Sequence, residues 1–288
     1  ADYFHRPLLA ALADSSGGRW RDFDAPSLAN MAWAYATARE DRPDLFDGIA
    51  DAAVRRSGEF TAQGVSMLLW ASAASGRSDR RLFDSLAPRA AELIREGDDQ
   101  SLANIAWAYA VADFDADSLF GGTSHFVDVL AEKIHEFDRQ GLGQLHQWNI
   151  WRRSMAADAL LPPALEKLCH DEFADRTIRN SKLQRDVMSE LTLMGISPEE
   201  EFLTQSGYHL DALVRVDGEN VGVEVDGPHH FVGRRPTGST ILKHKQILEV
   251  DGIRVVSLPY WELNDLESSE EKQRYLRAKL DLGGTNII

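Results

Sequence analysis

Ser27-Leu28-Ala29-Asn30-Met31-Ala32-Trp33-Ala34-Tyr35-Ala36 returns as Ser101-Leu102-Ala103-Asn104-Ile105-Ala106-Trp107-Ala108-Tyr109-Ala110, and Val65-Ser66-Met67-Leu68-Leu69-Trp70-Ala71 lies between them. Trp33, Trp70 and Trp107 are each 37 residues apart, and Leu45-Phe46-Asp47 is answered by Leu82-Phe83-Asp84 at the same period. Self-similarity at such a period marks a repeat architecture, so it decides the fold before any single element is assigned. Asp24, Thr61 and Asp98 share one repeat position and are residue types that open a helix by satisfying its first amides. Pro26 fits the first turn, where its missing N–H costs nothing.

Within the unit, Leu28, Met31, Ala32 and Tyr35 form one apolar stripe, and Ala29, Trp33 and Ala36 a second. A helix apolar on two faces is sandwiched between neighbours. The second helix, such as 45–55 or 82–95, is apolar on one face and charged on the other, which suits an outer layer. The expectation is a solenoid of helical hairpins over 1–160, with repeats near 24–60, 61–97 and 98–140 and a partial one at 141–160. In that looser fourth copy Leu145 to Trp151 is aligned with Leu102 onward and Phe126 with Phe83. Gly141 then takes the capping position, and the Gly121-Gly122-Thr123 loop takes an insertion of about six residues. The tryptophans are read as a packing spine.

Asn30, Asn104 and Gln147 place an amide at one repeat position, with Met67 breaking the series. Such a column either bonds neighbouring repeats together or reads base edges of single-stranded RNA, as helical repeat proteins do at about one base per unit.

The whole chain of 288 residues has room for about two domains. It carries 31 Lys and Arg against 46 Asp and Glu, a net charge of −15. Residues 1–150 account for −9 and residues 151–288 for −6, so neither half is a basic tail. General attraction to nucleic acid is excluded, and any contact must be local. The single cysteine, Cys169, allows neither an internal disulfide nor a cysteine-based zinc site. No run of about 18 apolar residues and no leader pattern is present, so the chain reads as soluble and without a membrane partner; the opening at Ala1 leaves a removed leader open.

Past Pro162-Pro163 the texture changes. Residues 164–194 read as helical up to Gly195, followed by strand-like runs at 208–216 and 221–226 joined by the turn Asp217-Gly218. A helix over 237–250, a strand over 254–258 and helices near 261–266 and 269–280 complete a small α/β module over 164–288. Asp211 falls on the first hairpin strand; Glu224 and Asp226 share a face of the second. Converging carboxylates outline a Mg²⁺ site, with His229 and His230 beside it for proton transfer or phosphate contact. The alternative is that Asp226-Gly227-Pro228 is simply a turn.

The repeats resemble the octotricopeptide and heptatricopeptide families of organellar proteins and the repeats of FAST-kinase-like proteins, on the words Leu28 to Ala34 and Leu102 to Ala108. Glu224-Val225-Asp226-Gly227-Pro228-His229-His230-Phe231, Pro236 to Thr240 with Leu242-Lys243, and Val255 to Glu262 resemble the RAP domain, a module implicated in RNA binding. The RAP domain is in turn similar to the restriction-endonuclease-like fold, in which Asp211 and Glu224 would take the metal-carboxylate positions. Asp226 stands where that pattern places a lysine, and Gln184 where related nucleases carry a helix Glu.

The fold class expected is therefore α plus α/β: a helical solenoid followed by a restriction-endonuclease-like RAP domain. The resemblance implies an organellar RNA-binding factor, mitochondrial or else chloroplast, acting in RNA processing, stability or ribosome assembly. RNA, single-stranded or ribosomal, and proteins of an organellar ribonucleoprotein are the implied partners. The RNA contacts expected are Asn30, Asn104, Gln147, His229, His230, Phe231, Lys243 and Trp261. A scaffold subunit of an organellar ribosome is the alternative. A Mg²⁺-dependent endoribonuclease is a second, with Asp211, Glu224, Asp226, His229 and Lys243 as its candidate residues; otherwise no cofactor is implied.

Overall fold

In the computed structural model of the chain, residues 5–122, 125–158, 160–175 and 181–282 are described. They form two compact units: one of residues 1–172 with 231–242, the other of residues 173–230 with 243–288. The sequence reading places all of 164–288 in one module, whereas the second unit begins at Phe173 and leaves out 231–242.

The first unit is built on the repeat. Its inner helices are α2 (Ala25–Thr37), α4 (Ala62–Ala74), α6 (Asp99–Ala112) and α9 (Arg139–Ser154), each packed on the next. Outside them lie α1 (Arg6–Ser16), α3 (Pro43–Arg55), α5 (Arg80–Leu93), and the short α7 (Asp117–Phe120) and α8 (Phe126–Glu132); α10 (Pro163–Ala174) follows. The caps are as the sequence dictates: Asp24, Thr61 and Asp98 accept from the amides of Ser27, Gly64 and Ser101 at 2.9, 3.2 and 2.8 Å. The outer helices hold the inner ones by a repeated device. The Tyr109 hydroxyl donates to the Phe83 carbonyl of α5 at 2.8 Å, and Tyr35 donates to Leu9 of α1 across the same 26-residue separation. Helix α1 therefore occupies an outer-layer slot, which the sequence reading did not assign.

The fourth copy corrects the expected register. Asp138, not Gly141, caps α9, accepting from the Gly141 amide at 2.8 Å, and it follows Asp98 by 40 residues. The insertion is thus three residues and not six. It splits the outer helix into α7 and α8, and Phe120 rather than Phe126 takes the place of Phe83: the Tyr109 ring meets both edge-on, at 5.0 and 5.2 Å. Thr123 of the expected insertion loop lies outside the described residues.

The tryptophans also part company. Trp148 and Trp151 are fully buried and Trp107 nearly so, but Trp33 and Trp70 are only half-buried. The three repeat indoles form a ladder, with centroids 4.3 Å apart for Trp33 and Trp70 and 6.3 Å for Trp70 and Trp107.

Residues 231–242 join this unit as a hairpin of β4 (Phe231–Val232) and β5 (Arg235–Pro236), followed by the start of α12 (Gly238–Gln246). A Cβ on Gly238 would sit 2.0 Å from the Ala73 carbonyl oxygen, so only glycine permits this approach to α4. Phe231, Val232 and Leu242 are buried.

In the second unit a four-stranded sheet runs in the order β1 (Glu199–Leu203), β2 (His209–Val216), β3 (Glu219–Asp226), β6 (Arg254–Pro259), with β6 parallel to β3 and the other pairs antiparallel. Asp217 and Gly218, at φ 50 and 90°, make the two-residue turn that the Asp-Gly pair foretells. Helices α11 (Lys182–Leu193), α13 (Tyr260–Asn264) and α14 (Ser269–Lys279) flank the sheet, and Val187, Leu191, Val214, Val223, Leu258 and Leu276 share one core. Part of the expected helix over 164–194, residues 176–180, lies outside the described residues. After Gln246, α12 relaxes into a π-helical turn, Ile247–Asp251, that ends at Gly252 in the left-handed region.

Candidate functional site

The carboxylates singled out in the sequence do converge. The β2 to β3 register, with Ala212 opposite Val223, carries Asp211 to the position facing Glu224, and Glu224 in turn faces Ser257 on β6. On the other side the β1 register carries Glu201 opposite Asp211, although Glu201 itself is twisted to φ 54°. Glu201, Asp211 and Glu224 thus form one row across three strands, with Asp226 one step further along β3. Glu201 was missed because Glu199-Glu200-Glu201 reads as a solvated acidic run, a composition that also suits an exposed edge strand.

Each carboxylate is tied down by protein. Gln184 donates from Nε2 to Glu201 Oε1 at 2.7 Å, and the Val225 amide donates to Asp211 Oδ2 at 2.7 Å. Lys243 extends Nζ to within 2.6 Å of Glu224 Oε1 and 2.7 Å of the His209 carbonyl. Asp226 accepts a short hydrogen bond from the Ser257 hydroxyl, and its other oxygen lies 3.3 Å from His230 Nδ1, in ion-pair range though not aligned as a hydrogen bond. The π-helical turn fixes the register of α12: Asp251 accepts from the Ser206 amide at 3.0 Å and from its hydroxyl at 2.5 Å, and buried Gln246 accepts from Tyr208 at 2.7 Å.

Burial dominates the electrostatics. It pushes Glu224 up to about 7 against the opposing pull of Lys243, and it raises Asp211 despite the Val225 amide. It lowers His244, with Asp226 pulling the other way. Lys243 is the cation that the sequence left open, and it is spent on Glu224. Among the described residues no three His, Cys, Asp or Glu side chains are placed to hold a metal ion. At Asp211 and Glu224 one oxygen of each carboxylate is engaged, by the Val225 amide and by Lys243.

The remaining candidates fall into different settings. His229 is exposed, His230 is partly so, and Trp261 is half-buried, edge-on to Tyr260 at 5.2 Å. Phe231, expected as an RNA contact, is buried in β4, which removes its ring from any base. In the first unit Asn30 is exposed, whereas Asn104 is buried and accepts from Gln144 Nε2 at 3.0 Å. The three-residue insertion makes Gln144, not Gln147, the counterpart of Asn104, and Gln147 is itself buried. At Asn104 and Gln147 direct base readout is thus ruled out by burial, and at Asn104 the amide serves to join repeats; only Asn30 keeps an amide toward solvent. Burial also pushes the Cys169 thiol up to about 12, far from any nucleophilic state.

Residues 223–279 match the RAP domain. The match takes in Glu224, Asp226, Lys243 and Ser257 of the buried ionic cluster and the hairpin that packs in the first unit, while Gln184, Glu201 and Asp211 precede it. The chain thus couples helical repeats to a RAP domain, an α plus α/β architecture. RAP domains are generally RNA-binding, which supports an RNA-binding role here. No curated protein matches the chain in sequence. No helix among the described residues is long and apolar enough to cross a membrane.

Proposed function

We propose that this chain is an RNA-binding factor of an organelle, the mitochondrion in the first instance, acting in RNA processing, RNA stability or ribosome assembly. The observation that carries the reading is the RAP domain match at residues 223–279, set beside helical repeats at 37-residue spacing. On this reading the RAP domain acts by binding, and Lys243 and Ser257 hold its buried carboxylates Glu224 and Asp226 in place. Single-stranded or ribosomal RNA is the expected ligand.

The net charge of −15 favours a second element, docking within a larger ribonucleoprotein such as an organellar ribosome, since phosphate neutralisation supplies most non-specific affinity. Titration of a fluorescent single-stranded RNA at stepped salt, beside size fractionation of native extract, tests both. Binding that weakens steeply with salt, on a small particle, supports the direct RNA factor. Absence of RNA binding together with recovery only in a ribosome-sized particle moves the reading to a scaffold subunit.

A further inference from the structure

Trp33 is placed unlike the other repeat aromatics. It is half-buried, Trp70 is its aromatic partner among the described residues, and it is absent from the side chains that pack on the buried core, whereas Trp70 is among them. Keeping a large indole partly in water forgoes burial that the fold could use. One turn earlier on the same helix stands Asn30, exposed, at the lip of a cleft it shares with Pro26, Gln63 and Met67. An aromatic face with an amide one turn away offers stacking and edge hydrogen bonds to the same flat ligand.

The charge around the carboxyl end of α2 also departs from the rest. Residues 1–150 carry −9, yet around the carboxyl end of α2 the guanidiniums of Arg6, Arg42, Arg77 and Arg235 gather in ion pairs with Glu40, Asp14 and Asp41, Asp44 also acting on Arg42. Asp41 is shared, accepting from Arg77 at 3.0 Å and Arg235 at 2.7 Å; burial pushes it upward, but the two guanidiniums outweigh that and hold it below the ordinary carboxylate range. Trp33 and Trp70 each stand four residues before the end of their helix, about 6 Å of rise from that end. Arg235 reaches it on the hairpin of the RAP domain, so repeat and RAP domain contribute to one surface within the first unit.

We infer that Trp33, with Asn30 beside it and the Arg77–Asp41–Arg235 cluster beyond the helix end, is a stacking site for an unpaired base of single-stranded RNA, the guanidiniums meeting its phosphate. The inference rests on the RNA-binding reading and specifies where one nucleotide sits. The aromatic platform gives tolerance of base identity, and the two guanidiniums that share the single carboxylate of Asp41 permit contact by an otherwise acidic chain.

The test uses the full chain and a fluorescein-labelled 12-nucleotide RNA of mixed sequence, single-stranded or annealed to its complement. Trp33→Leu should weaken the single strand about 10-fold while Trp33→Phe retains most affinity. Arg235→Gln should lower the salt slope by about one. Ultraviolet cross-linking of the unaltered protein should place RNA on the peptide carrying Trp33, which keeps the test decisive if Trp33→Leu misfolds. A folded Trp33→Leu protein that binds as before, a cross-link map without Trp33, or dimerisation abolished by Trp33→Leu would each overturn the site while leaving RNA binding by the chain intact. Failure of the unaltered protein to bind any RNA would remove the function and the site together.

Discussion

Removing the cation from the RAP domain's buried carboxylates should destabilise the second unit in a way that depends on pH. Lys243→Met keeps the aliphatic stem and deletes the charge that lies 2.6 Å from Glu224 Oε1, where the Glu224 side chain is 5% exposed and that of Lys243 19%. Breaking a buried ion pair from one side costs roughly 3–5 kcal/mol, because the other charge is left uncompensated. Here protonation limits the loss. Glu224 already titrates at about 7 instead of its ordinary 4.5, an upward move that corresponds to about 3 kcal/mol of preference for the neutral form. Its folded value lies above its unfolded one, so its contribution to stability is complete below about 4.5 and is lost as pH rises through about 7. Without Lys243 the carboxyl should titrate higher still, and the loss should continue above neutrality. Urea denaturation of Lys243→Met is therefore expected to show a deficit of about 3 kcal/mol at pH 8 and about 1 kcal/mol at pH 5.5. Adding Glu224→Gln should recover most of the pH 8 deficit. A deficit that is the same at both pH values, or a double variant no better than Lys243→Met, would refute the claim that this pair holds the cluster together.

Other substitutions probe the repeat register and the hairpin. Urea titrations of the unaltered protein should show stability declining between pH 5 and 7, and Glu224→Gln should flatten that decline, since the group responsible for it is gone. Gly238→Ala should lower the unfolding free energy measured by chemical denaturation by about 1–3 kcal/mol, the contact with the Ala73 carbonyl outweighing a gain of about 1 kcal/mol in helix propensity; a more stable variant would contradict that packing. Asn104→Ala should cost about 1–3 kcal/mol by stranding the Gln144 amide, whereas Asn30→Ala should leave thermal unfolding within about 0.5 kcal/mol of the unaltered protein. Asp138→Ala should cost about 1 kcal/mol and Gly141→Ala should not reproduce a lost cap, a contrast that distinguishes the two registers of the fourth repeat by calorimetry.

Much of this protein is determined locally, and there the sequence suffices. A helix cap is a contact three residues long, so Asp24, Thr61 and Asp98 announce their helices without reference to anything distant. The Asp217-Gly218 turn fixes the hairpin, and the hairpin fixes which carboxylates face one another; Asp211 and Glu224 were legible as a pair for that reason. The 37-residue period made the stacking of inner helices readable, because identical units bury identical faces. What the period could not carry through was an insertion. Three extra residues in the outer layer moved the fourth repeat's amide from Gln147 to Gln144, as the cap at Asp138 and the Asn104–Gln144 bond reveal.

Tertiary structure decided the rest, and in each case the deciding term is the removal of water by groups far apart in the chain. Asn104 and Asn30 stand in nearly the same sequence, with Ile105 against Met31 as the one adjacent difference, but a following helix covers one and leaves the other exposed. Lys243 lies 19 residues beyond Glu224, and its reach depends on how α12 returns to the sheet; that contact places a cation in the carboxylate row. Glu201 enters the row only because an edge strand lies alongside β2. The sequence names the residue types and their spacing; burial, which converts a charge or an amide into either a structural tie or an open contact, is a property of the folded whole.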